Sequence, residues 1–320
     1  MSVLRRVLLA ASESDALQRQ VTTRSLSRRI ALRFIAGETL DDGIGAVREV
    51  AARGCTATLD FLGEAVTGAD DARRAQAAIL TACKRIAGES LPSGISAKPT
   101  QMGLGFDPDL AFELIAGIAA EAEQFDGHVN IDMEGSDTTE STVALCERLR
   151  EAGHDNVGCA LQSYLHRTQV DVERLTATGA SLRLIKGAYD EPPEVAYQDA
   201  AQVDASFERS MEWLLANGTY PRIATHDDVL IEKTKRTAIR LGRSPDDFEF
   251  QMLYGVRTPL QRQLVAAGWR MRVYIPFGTE WFPYFMRRIA ERPANLIFFL
   301  RAVAGSQRDI HGRLGSGAYE

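Results

Sequence analysis

The sequence predicts a (β/α)8 barrel, and three observations lead there. Short apolar or β-branched runs recur along the chain, each followed by a polar or glycine-bearing turn and then by a segment of helical period. Eight such runs occur, and eight alternating units in about 250 residues match the length of a barrel that right-handed crossovers would close. No G-x-G-x-x-G turn follows an early strand, which weighs against the open doubly wound sheet that the same alternation could build.

In chain order the elements read as follows. Residues 1–54 contain "QRQVTTRSLSRRIALRFIA" and "DDGIGAVREVAARG", both helical in spacing, and are expected to form an arm against the barrel. The barrel itself is expected over 55–303. Its strands are "TATLDF" from Thr56, "SGISAK" ending at Lys98, "HVNIDME" from His128 and "VGCALQSY" from Val157. The second half continues with "SLRLIKGA" from Ser181, "RIATHD" from Arg222, "FEFQML" from Phe248 and "MRVYIPF" from Met271. Asp107 with Pro108, and Thr258 with Pro259, supply an N-cap and a proline in the first helical turn. Gly153, Gly179, Gly242 and Gly268 stand where a helix should stop before the next strand. Residues 304–320, polar and glycine-bearing, are expected to be a loose tail.

Composition narrows the function classes. With 45% hydrophobic and 25% charged residues the chain is ordinary globular protein with a sizeable core. Its net charge is −6 and its basic residues are scattered, so nucleic acid is not an expected partner. The four cysteines, Cys55, Cys83, Cys146 and Cys159, form no C-x-x-C pair and no metal-finger spacing, and are expected to be reduced core residues. The run "VLLAA" near the start is shorter than a signal-peptide core or a membrane span, so a cytoplasmic protein is expected. Helically spaced Leu, Val and Ile there could dock on a membrane surface or pack on their own domain.

In a barrel of this kind chemistry gathers at the C-terminal ends of the strands. Those ends carry Lys98, Asp132 with Glu134, Gln162, Arg183 with Lys186, Thr225 with His226, Gln251, Tyr254 and Tyr274. Several cations and amides with few free carboxylates suit an anionic ligand such as a diphosphate or a carboxylate. His226 lacks metal-ligand partners and reads as a hydrogen-bond donor at the mouth or as a satisfied core histidine. A lysine at a strand end, Lys98 or Lys186, could alternatively form a Schiff base, and a non-catalytic binding barrel is a third option. Arg287 and Arg288 raise a separate question. Adjacent helical residues diverge by about 100°, so the pair cannot share one solvated stripe; Glu291 could make them a surface salt-bridge cluster.

The ordered stretches "SGISAKPTQMGL", "NIDMEGS", "LQSYLHRT", "LRLIKGAY", "ATHD", "FEFQMLYG" and "RVYIPFGTEWFPYFMRRIAERPAN" closely resemble the proline dehydrogenase family, flavoenzymes on a distorted (β/α)8 barrel. The likeness runs from about Thr56 to Leu300 and includes "FLGEAV". It implies FAD at the barrel mouth, oxidation of L-proline to Δ1-pyrroline-5-carboxylate by hydride transfer, and electrons passed to a quinone. Arg183 would lie beside flavin N5 and Gln162 at the pyrimidine end of the ring. Lys186, Gly187 and Ala188 would follow the ribityl chain and phosphates, with Thr225, His226 and Gln251 completing the cofactor site. The family lays its eighth helix over the mouth, so Arg287, Arg288 and Lys98 would clamp the proline carboxylate, balanced by Glu64, Asp132 and Glu291. Tyr189, Leu253, Tyr254 and Tyr274 would wall the pyrrolidine ring. Peripheral contact with the inner face of the cell membrane, and transient contact with a separate Δ1-pyrroline-5-carboxylate dehydrogenase, are further implications. Departures are small: Phe277 and Asp190 stand where common members differ, and 320 residues leave no room for the aldehyde dehydrogenase module of bifunctional members.

Overall fold

The computed structural model of the chain describes residues 32–63 and 65–291, the side chains of 289–291 excepted. Eight parallel strands pair in sequence order and the last pairs with the first, closing a barrel. They are β1 (Thr56–Phe61), β2 (Ser93–Ala97), β3 (Val129–Ile131), β4 (Val157–Gln162), β5 (Arg183–Ile185), β6 (Arg222–Ala224), β7 (Glu249–Leu253) and β8 (Met271–Phe277). The helices are α1 (Leu40–Ala51), α2 (Ala69–Gly88), α3 (Pro108–Glu123), α4 (Thr139–Glu151), α5 (Thr168–Thr176), α6 (Ala200–Asn217), α7 (Asp228–Arg240), α8 (Thr258–Ala266) and α9 (Trp281–Glu291). All eight expected strands are present, several shorter than their sequence runs. Lys98, Asp132, Lys186, Thr225 and His226 consequently fall one or two residues past their strands, in the loops of the mouth.

The strands alternate, and the alternation is sharp at β1, β7 and β8. Ala57 and Leu59, Phe250 and Met252, and Val273 and Ile275 join the apolar core between sheet and helices. Thr58, Asp60, Glu249, Gln251, Arg272 and Tyr274 lie on the other face, inside the barrel. Barrel interiors are usually filled by Val, Ile and Leu. This one is filled by charges.

Local signals mostly hold. Asp107 caps α3 by accepting from the Asp109 and Leu110 N–H groups, and the four helix-stopping glycines have φ from +69° to +89°. The cysteines are free and buried. Thr258 is a correction: it opens α8 as its first residue, and the N-cap is Arg257 at φ +51°. Arg257 holds that conformation through tertiary contacts, donating from Nη1 to the His226 carbonyl at 2.6 Å and pairing with Asp228 at 2.9 Å.

Outside the barrel, α1 packs on β1 and β8, with Gly43 against Leu59 and Phe277. It fills the flank where a helix following β8 would otherwise lie, and α9 sits elsewhere. Trp281, Phe282, Phe285 and Met286 bury one face of α9, while Tyr284, Arg287 and Arg288, three and four residues apart, present the other to the barrel mouth. Residues 1–31 of the expected arm and the expected tail lie outside the described residues.

Candidate active site

A cavity of about 720 Å³ occupies the mouth, between the strand ends and α9. Lys98, Asp132, Arg183, Lys186, Gly187, Ala188, Tyr189, Thr225, His226, Gln251, Leu253, Tyr274, Arg287 and Arg288 all line it. Residues far apart in sequence therefore converge as the strand-end map required.

The floor of the cavity is a charge network. Asp132 Oδ1 accepts from Ser96 Oγ (2.5 Å), Asn130 Nδ2 (3.2 Å) and Arg183 Nη1 (2.9 Å), and its Oδ2 accepts from the Tyr274 hydroxyl (2.8 Å). Lys98 Nζ donates to Asp60 Oδ1 at 2.5 Å and stands 3.7 Å from Asp132. Strands β3, β5 and β8 are not neighbours, so these bonds cross the barrel interior. Two cations meet two carboxylates, the condition for keeping such charges out of water. Burial disfavours the ammonium of Lys98, but Asp60 and Asp132 more than offset it and hold it above the usual lysine value. Burial likewise works against ionised Asp132, yet Lys98 and Arg183 keep its carboxyl below the usual range. Burial raises Asp60 and Glu134, and it raises the Tyr274 phenol well above 10, with Asp132 adding to the shift.

Arg183 is 5% exposed. One of its nitrogens is spent on Asp132, its guanidinium lies 5.1 Å from the Tyr274 ring centre, and Nε and Nη2 have no partner among the described residues. Above it, Arg287 lies 5.7 Å over the Tyr189 ring and Arg288 5.2 Å over that of Tyr284. Both arginines of the helix thus face the cavity. Glu64 and the side chain of Glu291, their expected partners, lie outside the described residues.

On the β5 side, Gly187 has φ +114°, and a Cβ there would stand 2.3 Å from the Tyr164 ring, so only glycine fits. Lys186 bridges Asp204 (2.7 Å) and Asp227 (3.0 Å). His226 accepts at Nε2 from the Leu253 N–H (3.0 Å), which leaves Nδ1 as the protonated nitrogen. Glu191 ties this loop to the far wall by accepting from the N–H (2.7 Å) and the hydroxyl of Ser136.

Two expected positions differ. Tyr254 does not line the cavity: one residue beyond β7 it turns outward, packs on the outer core and donates to Glu49 of α1 at 3.4 Å. Gln162 is buried but not on the cavity wall; its Nε2 donates to the Glu134 carbonyl (2.9 Å) and its Oε1 has no partner among the described residues. Sequence reasoning also missed Asp60 and Tyr284. Asp60 was visible as the acid inside "TATLDF", and Tyr284 as the residue sharing a helix face with Arg287 and Arg288.

Comparison with known proteins agrees with this geometry. The family model described as proline dehydrogenase matches residues 44–301. The chain is 37% identical over 301 residues to proline dehydrogenase 1 of Bacillus subtilis subsp. natto, spanning 94% of this chain and 99% of that protein. It is 39% identical over 277 residues to proline dehydrogenase 2 of Bacillus subtilis (strain 168), spanning 87% and 91%. The crystal structure of proline utilization A from Bdellovibrio bacteriovorus superposes with a TM-score of 0.78 at 23% identity, over 89% of this chain and 36% of that one, a likeness of fold. A charged barrel interior opening under an arginine-bearing helix, a family model covering most of the chain, and near full-length relatives together establish that the chain belongs to the proline dehydrogenase family, enzymes that oxidise proline.

Proposed function

We propose that the cavity binds FAD and L-proline side by side and oxidises proline to Δ1-pyrroline-5-carboxylate, the electrons passing on to a quinone. The observation that carries this reading is Arg183, a buried guanidinium with two nitrogens unpartnered among the described residues at the bottom of an otherwise balanced network. A buried donor of this kind calls for an acceptor, and a redox ring whose reduced form is electron-rich supplies one. Lys186, with Gly187 and Ala188, would hold the ribityl chain and phosphates, the ammonium exchanging one of its two carboxylates for a phosphate oxygen. Thr225, His226 and Gln251 would complete the site.

Held by these residues, a flavin would supply the acceptor for the hydride leaving C5 of proline, whose nitrogen, having first lost one proton to water, would become that of the protonated imine and give its last proton to water in turn. The chain itself supplies orientation. Arg287, Arg288 and Lys98 fix the carboxylate with charge-assisted bonds, two of them from planar forks. Tyr189, Leu253 and Tyr274 give the ring methylenes apolar contact, and Tyr284 joins them from α9. Asp60 and Asp132 keep Lys98 charged, so the clamp does not depend on pH near neutrality. No general base is needed for the hydride step.

Colour tests the proposal. The purified protein is expected to be yellow and to bleach when proline is added without oxygen. A colourless protein that takes up no added FAD overturns the reading, as does a yellow one that proline leaves oxidised.

A further inference from the structure

Below the cavity a second charged layer closes the barrel. Glu249, 2% exposed on β7, accepts from Arg272 Nε at 2.6 Å and lies 3.4 Å from Arg222 Nη1. Those cations are themselves anchored: Arg272 donates to the Ala57 carbonyl (2.6 Å) and Arg222 to Ser181 Oγ (2.7 Å). Burial opposes the charge of Glu249, but Arg272 and Arg222 outweigh it and hold its carboxyl at about 2. Glu249 is therefore a fixed, permanently ionised acceptor.

One neighbour on the same strand uses it. Gln251, two residues on and facing the same way, donates from Nε2 to Glu249 Oε1 at 2.6 Å and also lines the cavity. An ionised carboxylate can only accept, so the amide end turned towards it must be the nitrogen. We infer that Glu249 is a positioning residue: it fixes the flip of Gln251 so that the amide oxygen is the end offered to the cavity. The ligand group it meets is then a hydrogen-bond donor, an imide N–H or a hydroxyl. Without Glu249 the amide could present either end, and half of its orientations would set a donor against a donor. This rests on the flavin reading, because the ring and its ribityl chain are what carry such donors.

A double-mutant cycle on the full-length protein tests it, with FAD removed and titrated back while fluorescence quenching and the flavin absorption band are followed. Glu249→Asp keeps the charge for the two arginines but withdraws the carboxylate by one methylene. Gln251→Met keeps the volume and removes the amide. Glu249→Asp is expected to weaken FAD binding about fivefold to tenfold and shift the absorption band, as expected for one lost charge-assisted bond. In the Gln251→Met background the same change should cost less than about twofold, since the residue it acts through is gone. Equal losses in both backgrounds would make Glu249 merely structural and overturn the inference. If Glu249→Asp does not fold, Gln251→Met alone decides: unchanged FAD affinity overturns the inference, and a loss of about tenfold supports it. A parent protein that binds no FAD overturns the flavin reading and this inference with it, an outcome distinct from either arm of the cycle.

Discussion

The barrel interior holds two charged layers built from the same residue types, and they are used differently. In the upper one Lys98 and Arg183 face Asp60 and Asp132, and Arg183 keeps two unpartnered nitrogens. In the lower one Arg222 and Arg272 share the single carboxylate of Glu249, and His128, half-buried beside them, stays neutral. Burial drives Arg222 down to about 9 against the pull of Glu249. Position along the strands makes the difference. The upper layer adjoins the cavity, where a ligand can satisfy what the protein leaves open; the lower layer is sealed and must be satisfied internally. On the proposed reading, charges at the mouth serve binding, and charges below serve to fix the mouth.

Removing charge from each layer should separate the two. Below, Glu249→Gln leaves two buried guanidiniums without their anion and is expected to cost about 3–5 kcal/mol of folding stability, read by urea denaturation. A loss under about 1 kcal/mol would mean that the lower layer is no more demanding than a surface pair. At the mouth, Arg288→Lys should barely move stability but raise the KM for proline about tenfold to hundredfold, with FAD content unchanged, because an ammonium cannot reproduce the two-pronged geometry of a guanidinium. Unaltered proline kinetics in flavin-loaded protein would return Arg287 and Arg288 to a surface salt-bridge cluster.

The smallest effect is one of pH. Burial, reinforced by Arg222, Arg272 and Arg183, holds His128 well below the ordinary value of 6.5. The unfolded chain therefore binds a proton below about pH 6.5 that the folded chain refuses, and stability should fall on acidification by up to about 1.4 kcal/mol per pH unit. His128→Asn should flatten that slope. A slope identical in the two proteins would show that another group carries it.

Much of this was legible in the residues. The strand-end map named Lys98, Arg183 and Tyr274, the resemblance to the family added Tyr189 and both arginines of α9, and all six line one cavity. Tyr254 was misread because it was set on the same wall as Leu253, although the strand's alternation turns only Leu253 inward and sends the next residue out to Glu49. Asp60 was passed over because it lies within a strand rather than at its end. Gln162 lies behind the cavity wall, and its amide nitrogen is spent on a backbone carbonyl that only the folded loop after β3 supplies.

Alternation within "TATLDF", "EFQML" and "MRVYIPF" already divides each strand into an apolar and a polar face, and the eightfold repeat of strand and helix already favours a barrel. Neither says which face turns inward. In an open sheet the face bearing Asp60, Glu249, Arg272 and Tyr274 would be the one given to water. Closure reverses this: the helices cover the apolar face, and the polar faces of eight strands are brought within hydrogen-bonding distance of one another across the barrel. The charges can remain there because each is met by an opposite charge from another strand, and such pairing across sequence is decided only when the chain has folded.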